Sequence, residues 1–333
     1  MGGARQTMTS SVTRMLRFIV SLVVLSLASF GVPSSASADG WPNRAVKIIT
    51  PQPPGTGIDL AARLFADRLS ARWGQAVIVE NRPGADGVAG VSTFVNARDD
   101  HTLLFSFGSP ITISPLISEN KLPYDPDTDL VPIGSVVDII LGFAAASSTN
   151  VTSLAELDEF ARRNPGKYNW GATAGLPQFV FAGYAEAMKL PLVEIPYKDL
   201  TPALVDLASG RVQFFATSYA SLRATLEGKQ ARLVAILNRE RAPMAPDVPT
   251  MSELGHPEFA VDSFAGFFGG RGLAPETRQR VASDIQAIGG EAEIAARLAS
   301  FGMVLKVTTP GDFAEMIRKQ KETVASVLRS ISH

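Results

Sequence analysis

Residues 50–59 read TPQPPGTGID, a stiff Pro/Gly loop between an apolar strand signal, Ala45 to Ile49, and an amphipathic helix signal that starts near Leu60. Gly55 and Gly57 remove side-chain bulk, so backbone N–H groups can approach a ligand closely. The start of the following helix adds orphan amide donors and about half a positive charge. Together they predict an anion cradle that fits a carboxylate or a phosphate.

What the loop lacks narrows the anion. A Walker-type nucleotide loop ends in Gly-Lys-Ser/Thr, whereas Gly57 is followed by Ile58 and Asp59. Gly55-Thr56-Gly57 begins like a dinucleotide fingerprint but has Leu60 at its last glycine position, and Asp59 would repel a pyrophosphate. Asp59 reads as the N-cap of LAARLFADRLSARW, with direct ligand contact as the alternative. Leu60, Leu64 and Trp73 mark the buried stripe of that helix, and Gly74 ends it.

The N-terminus reads as an export signal. Arg5, Arg14 and Arg17 form a basic region, Phe18 to Phe30 is an apolar run too short to span a membrane, and Ala36-Ser37-Ala38 is a small-residue cleavage site. Cleavage after Ala38 gives a mature chain that starts at Asp39 and is exported. No second long apolar run follows, so no membrane anchor is expected. With no cysteine in the chain, the protein is neither a lipoprotein nor disulfide-bonded. Removing residues 1–38 takes away three Arg and no acid, so the formal charge moves from −1 to −4, with 28 basic against 32 acidic side chains. Scattered basic residues and a negative balance argue against nucleic acid as a partner. About 295 mature residues, from a chain that is 46% apolar overall, favour two lobes, each with its own core.

Short apolar runs alternate with helical stretches along the mature chain. Ala45 to Ile49, Ala76 to Val79, Thr102 to Ser106, Leu192 to Ile195, Val212 to Ala216 and Arg232 to Leu237 read as strands. Helix signals lie near 60–73, 87–97, 153–163, 179–189, 201–209 and 219–227. The pattern is α/β with mostly parallel sheets, in which ligands sit beyond the carboxyl ends of the strands. Two further loops follow strands in the second half, Gly171 to Gly175 after Tyr168 to Trp170, and Pro196 to Asp199 after Val193 to Ile195. Two lobes could close on one ligand between these loops.

Seven ordered motifs carry a family resemblance. They are Trp41-Pro42, the PPGTGID loop, Glu80-Asn81-Arg82-Pro83-Gly84-Ala85, Leu122-Pro123-Tyr124-Asp125-Pro126, Asn164-Pro165-Gly166-Lys167, Pro196-Tyr197-Lys198 and Asp247-Val248-Pro249-Thr250. In this order and behind a signal peptide, the chain resembles the Bug (Bordetella uptake gene) family, the TctC-like solute-binding proteins of tripartite tricarboxylate transporters. The resemblance implies a type II periplasmic binding-protein fold, with two α/β domains joined by crossing strands around a cleft for a small carboxylate. The implied domains are 39–141 with 263–333, and 142–262. The implied partners are the carboxylate and the integral-membrane permease subunits. No cofactor is implied.

Carried over by residue, Gln52 to Asp59 (Gln52, Pro54, Gly55, Thr56, Gly57, Ile58 and Asp59) resembles the segment that holds the ligand's proximal carboxylate. Phe107 to Thr112, with Phe107, Gly108 and Ser109 as contacts, resembles the second loop of the first domain. Ala172 to Gln178, with Thr173, Ala174, Gly175 and Gln178, and Tyr197 to Asp199 match loops that close over the distal end. Three departures stand out: Gln52 replaces an aromatic, Ile58 replaces Thr or Ser, and Leu176-Pro177-Gln178-Phe179-Val180 replaces a polar stretch. Thr217 stands where relatives often carry Asp. These leave the cleft less polar and favour an aromatic or aliphatic carboxylate over citrate or aspartate.

Several of these residues carry plainer readings. Phe264, Phe267 and Phe268 in a Gly-rich return strand suit core packing better than the cleft. Phe179 and Val180 face either the cleft or the core. Tyr197 suits a cleft edge, with its hydroxyl seeking a partner. Arg82 reads as a turn charge and Lys198 as solvated. His101, His256 and His333 are too far apart in sequence for a metal site. An exported hydrolase lacks a GxSxG elbow and any cysteine. A ligand-loaded partner of a sensor ectodomain shares every residue with the uptake reading.

Overall fold

The structure, a computed structural model, describes residues 40–118, 120–197 and 199–331. The expected export signal, its cleavage site, Lys198 and His333 lie outside the described residues. Among the described residues no helix is long and apolar enough to cross a membrane.

Elements run in the order β1 (Val46–Thr50), α1 (Gly57–Trp73), β2 (Val77–Asn81), α2 (Val88–Ala97), β3 (Thr102–Phe107), three one-turn helices α3 (Ser109–Thr112), α4 (Ser114–Ile117) and α5 (Pro126–Asp129), and β4 (Leu130–Asp138). The chain then enters a second sheet through β5 (Leu141–Ala146), α6 (Leu154–Arg163), β6 (Asn169–Ala172), α7 (Leu176–Ala187), β7 (Val193–Glu194), α8 (Leu200–Ser209), β8 (Phe214–Ser218), α9 (Tyr219–Glu227) and β9 (Ala231–Ile236). It returns through β10 (Phe264–Gly270), α10 (Pro275–Gly289), α11 (Ala292–Ser300), β11 (Val304–Leu305) and α12 (Pro310–Ile331).

The first sheet has the order β11-β4-β10-β3-β1-β2 and the second β7-β6-β8-β5-β9. The six expected strands all form, within two residues of their expected ends. The expectation of mostly parallel sheets is corrected. Strands β1, β2 and β3 pair in parallel, as do β6, β7 and β8, but β4, β5, β9, β10 and β11 enter antiparallel pairings. The reason lies in the connections. Strand β4 runs into β5 across two residues, and β10 is reached from β9 through the long segment 237–263; neither connection is an α-helix crossover, so the constraint that enforces parallel pairing does not act on them.

Both faces of each sheet are covered, which is why β5, with the sequence LGFAAA, is buried at every position. Aromatic side chains carry the packing. Phe267 meets Phe65 and Phe105 at ring-centroid distances of 5.9 and 4.7 Å, while Phe264 and Phe268 meet Phe313 at 5.1 and 5.0 Å. All three phenylalanines of the return strand therefore belong to the core, in line with the plainer reading. In the second sheet Phe181 stacks on Trp170 at 4.5 Å and abuts Phe143 at 4.7 Å.

Asn238 fixes the crossings. Buried between them, it donates to the Asp138 carboxylate at 2.9 Å and to the Ile139 carbonyl at 3.1 Å, and it accepts from the Leu141 amide at 2.9 Å. A buried polar side chain with every group paired specifies one arrangement. Helix α12 straps the two sheets together: Phe313 and Ile317 pack beside β10, and Val324 and Val327 pack into the core of the second sheet.

Candidate functional site

The loop after β1 is built around Asp59, though not as expected. Thr56 is the N-cap of α1, its hydroxyl accepting from the Asp59 amide, and Asp59 is the third helical residue. The side chain of Asp59 is buried and turned away from the loop's outer face. It accepts from the Gly55 amide at 2.8 Å, from Asn81 Nδ2 at 2.7 Å and from Arg63 Nε at 3.0 Å. Asn81 Nδ2 also donates to the Gln52 carbonyl at 2.9 Å. The PPGTGID and ENRPGA motifs are thereby tied to each other through one carboxylate. Burial pushes the Asp59 carboxyl up, but the hydrogen bonds from Arg63, Asn81 and Gly55 outweigh it and hold the group below the usual carboxylate range. Gly55 adopts φ +82°, a conformation that favours glycine. With the Gly55 and Asp59 N–H groups engaged, the amides of Gly57 and Ile58, the first two helical residues, have no intrahelical acceptor.

These amides border a cavity of about 690 Å³ between the carboxyl ends of the two sheets. Of the expected contacts, Gln52, Gly55, Thr56, Gly57, Ile58, Phe107, Gly108, Ser109, Thr173, Ala174, Tyr197 and Thr217 line it. Four do not. Pro54 is exposed on the loop's outer side, and Pro53 takes its place in the wall. Asp59 is buried as described. Gln178 reaches away to Glu194 Oε1 at 2.7 Å. Gly175 caps α7 from behind the lining and abuts Ser109. Arg82 pairs with Glu80, as a turn charge does.

The apolar wall is also partly revised. Ile58, Leu176 and Pro177 line the cavity, whereas Val180 is buried in the core and Phe179 packs against it. Burial wins for the latter two because the N-terminal turn of α7 faces the cavity while its next turn faces Trp170 and Phe143. Met303 and Phe301, from the loop after α11, complete the wall. Tyr197 contributes only its ring. Its hydroxyl donates to Asp206 at 2.7 Å, and burial, followed by that carboxylate, pushes its pKa up to about 12.

Electrostatically the cavity is a meeting of helix N-termini. The first turns of α1 (Gly57, Ile58), α7 (Leu176, Pro177), α8 (Leu200) and α9 (Ala220, Ser221) all contribute to the lining. Each carries about half a positive charge. Among the described residues the charged side chains in the lining are Asp86, Asp199 and Arg223. Arg223 is engaged by the Ser300 carbonyl. Thr173 and Thr217 share a hydrogen bond at 3.2 Å, and Ser218 caps α9 by accepting from the Ser221 amide at 3.2 Å.

Sequence reading missed Asp86, Ser218, Ser221, Arg223, Phe301 and Met303. Asp86 lies one residue beyond the ENRPGA motif, and its sequence signal was a non-glycine in a Gly-rich turn. Ser218-x-x-Ser221 was legible as a helix cap. Phe301 and Met303 gave no signal, because only tertiary folding brings them to the cleft.

Residues 61–332 match the family described as the tripartite tricarboxylate transporter family receptor, TctC. The chain belongs to the TctC family. It is 31% identical over 321 residues to Protein BugT of Bordetella pertussis, covering 93% of this chain and 96% of that protein. Among solved structures, the periplasmic binding protein BugD is 25% identical, with a TM-score of 0.74 over 88% of this chain and 99% of that one. R. palustris Rpa4515, solved with adipate, is 24% identical, with a TM-score of 0.76 over 88% of this chain and 98% of that one, a likeness of fold. The expected type II periplasmic binding-protein fold of the Bug and TctC kind is thus the fold of this TctC-family receptor.

Proposed function

We propose that this TctC-family receptor is exported, loses residues 1–38, and captures a small carboxylate between a lobe of residues 39–141 with 263–333 and a lobe of residues 142–262. It then delivers the ligand to the integral-membrane permease subunits of a tripartite tricarboxylate transporter. The observation that carries the capture is the convergence of four helix N-termini on one cavity in which, among the described residues, Arg223 is the one cationic lining residue. Helix ends and backbone amides suit a compact anion held by directed hydrogen bonds. The proximal carboxylate lies against Gly57 and Ile58. Ile58, Leu176, Pro177 and Met303 then favour an aromatic or aliphatic body, since apolar contact contributes about 25 cal/mol per Å² removed from water.

Thermal shift with matched acids and primary amides tests this reading. At about 100 times its dissociation constant an acid contributes roughly 2.7 kcal/mol, which raises the melting midpoint by about 5–10 °C, while the amide leaves it unchanged. Equal shifts from acid and amide would refute the anion cradle. Loss of uptake of that acid on deletion of the gene tests the delivery step.

A further inference from the structure

We propose that Asp86 acts as a distal carboxylate supplied by the protein itself, standing at the N-terminus of α7 from the opposite wall of the cleft and so selecting monocarboxylates against dicarboxylates. This inference rests on the carboxylate reading above and names the class of acid.

Asp86 sits in the turn between β2 and α2 with φ 49° and ψ 38°, a left-handed conformation that side chains other than Asn and Asp seldom adopt. The turn points its carboxylate into the cleft, where Ser109 Oγ, from the same side of the cleft, donates to Oδ2. On the far side stands Gly175, the N-cap of α7, at φ +89°. A Cβ on Gly175 would lie 3.1 Å from Asp86 Oδ2 and 2.8 Å from Ser109 Oγ, so carboxylate, hydroxyl and helix end are in contact. Gly175 gives α7 no side-chain cap, and Pro177 removes one of its first-turn donors. An anion from the other wall fills that place.

Asp86 and Asp59 differ in how their charge is balanced. Asp59 has Arg63 beside it. Among the described residues Asp86 has no ion pair, and its balance falls on Ser109 and the end of α7. The cleft walls around it push its carboxyl above the usual range despite its access to cleft water, because no cation offsets that burial. At the other helix ends in the lining, Ser218 caps α9, while Asp199, the N-cap residue of α8, makes no side-chain cap bond but adds a second carboxylate to that wall. A ligand carboxylate seated on Gly57 and Ile58 meets no competitor, whereas a second one reaching across the cleft meets a like charge in a low-dielectric site.

Calorimetry with chain-matched pairs tests this: butyrate against succinate, hexanoate against adipate, and benzoate against benzene-1,4-dicarboxylate. The mature protein is expected to bind the better monocarboxylate at least about tenfold tighter than its dicarboxylate partner. Asp86→Asn and Asp86→Gly both tolerate the left-handed turn. Each is expected to keep monocarboxylate affinity and to gain dicarboxylate affinity, bringing the ratio within about threefold. Retained monocarboxylate binding reports that the variants are folded. Unchanged ratios in both variants overturn the inference, as does loss of the monocarboxylate by both, which would make Asp86 a ligand contact. Dicarboxylates binding the unaltered protein as tightly as monocarboxylates overturn it while leaving the carboxylate reading intact. No binding of any acid overturns both.

Discussion

The backbone amide of Gly55 donates to the carboxylate of Asp59 at 2.8 Å, four residues ahead, so the glycine loop is closed by its own helix. Its shape is therefore set before any ligand arrives. The same carboxylate also accepts from Asn81 and Arg63, which ties the loop to β2 and to its own helix.

Replacing Asp59 by Asn leaves Arg63 without its charge partner and one buried acceptor short. The expected cost is about 2–3 kcal/mol, or roughly 5–10 °C in the melting midpoint. The pH dependence has a definite sign. Because the folded-state pKa is depressed, the stability contributed by Asp59 is fully present above the unfolded value of about 4 and is lost as pH falls through the folded value. Melts between pH 2 and 7 are expected to show the wild type losing its advantage over Asp59→Asn at the acid end. A constant gap across that range would refute the assignment.

Asp138 titrates the other way. Burial, reinforced by the nearby Asp262 carboxylate, pushes it up to about 6 against the pull of Lys306 and Asn238. A raised acid binds its proton more readily in the folded state, so stability is highest below the unfolded pKa and falls as pH rises through 6. Asp138→Asn, neutral throughout, is expected to gain on the order of 2–3 kcal/mol relative to wild type between pH 4 and pH 7.5. Urea unfolding of both proteins at the two pH values measures this. A gain at the acid end instead would contradict it.

Gly57 and Gly55 are expected to respond differently to added bulk. A Cβ on Gly57 would lie 3.5 Å from Met303, an ordinary contact, whereas Gly55 has open space but φ +82°. Gly57→Ala is expected to stay folded with modest loss of carboxylate affinity. Gly57→Val, whose branches reach past that contact towards the amides, is expected to lose at least about 2 kcal/mol of binding while the ligand-free protein stays folded. Gly55→Ala is expected to lower stability by about 1 kcal/mol through backbone strain. Calorimetry and thermal melts separate the two.

Tyr197 and Gln178 supply negative controls of different kinds. Tyr197→Phe removes a hydroxyl that faces Asp206 and keeps the ring on the cavity wall, so ligand affinity is expected to hold. Gln178→Ala removes a side chain that bonds Glu194 outside the lining, and affinity is again expected to hold. A loss above about tenfold, or 1.4 kcal/mol, in either variant would place the ligand elsewhere in the cleft.

The sequence by itself determined the local elements, because each depends on neighbours a few residues away. The strand VKIIT, the extent of α1 and the stop at Gly74 are short-range signals, but the expected stripe is corrected: α1 buries Ala61, Phe65, Leu69 and Trp73, while Leu60 and Leu64 are only half-buried and Leu60 lines the cavity. The turn between β1 and α1 is legible for the same reason: two glycines between a strand and a helix mark it from its own residues. Asp59 is not the N-cap, because Thr56 takes that place and the Asp59 carboxylate turns to Asn81, a partner that only the pairing of β2 with β1 brings beside it. The antiparallel entry of β4 and β10, the burial of Val180, and the arrival of Met303 at the cleft were decided by tertiary structure. So was the meeting of Asp86 with Gly175. Carboxylate and helix end lie 89 positions apart in the chain, and only the facing of the two sheets brings their charges within reach of each other.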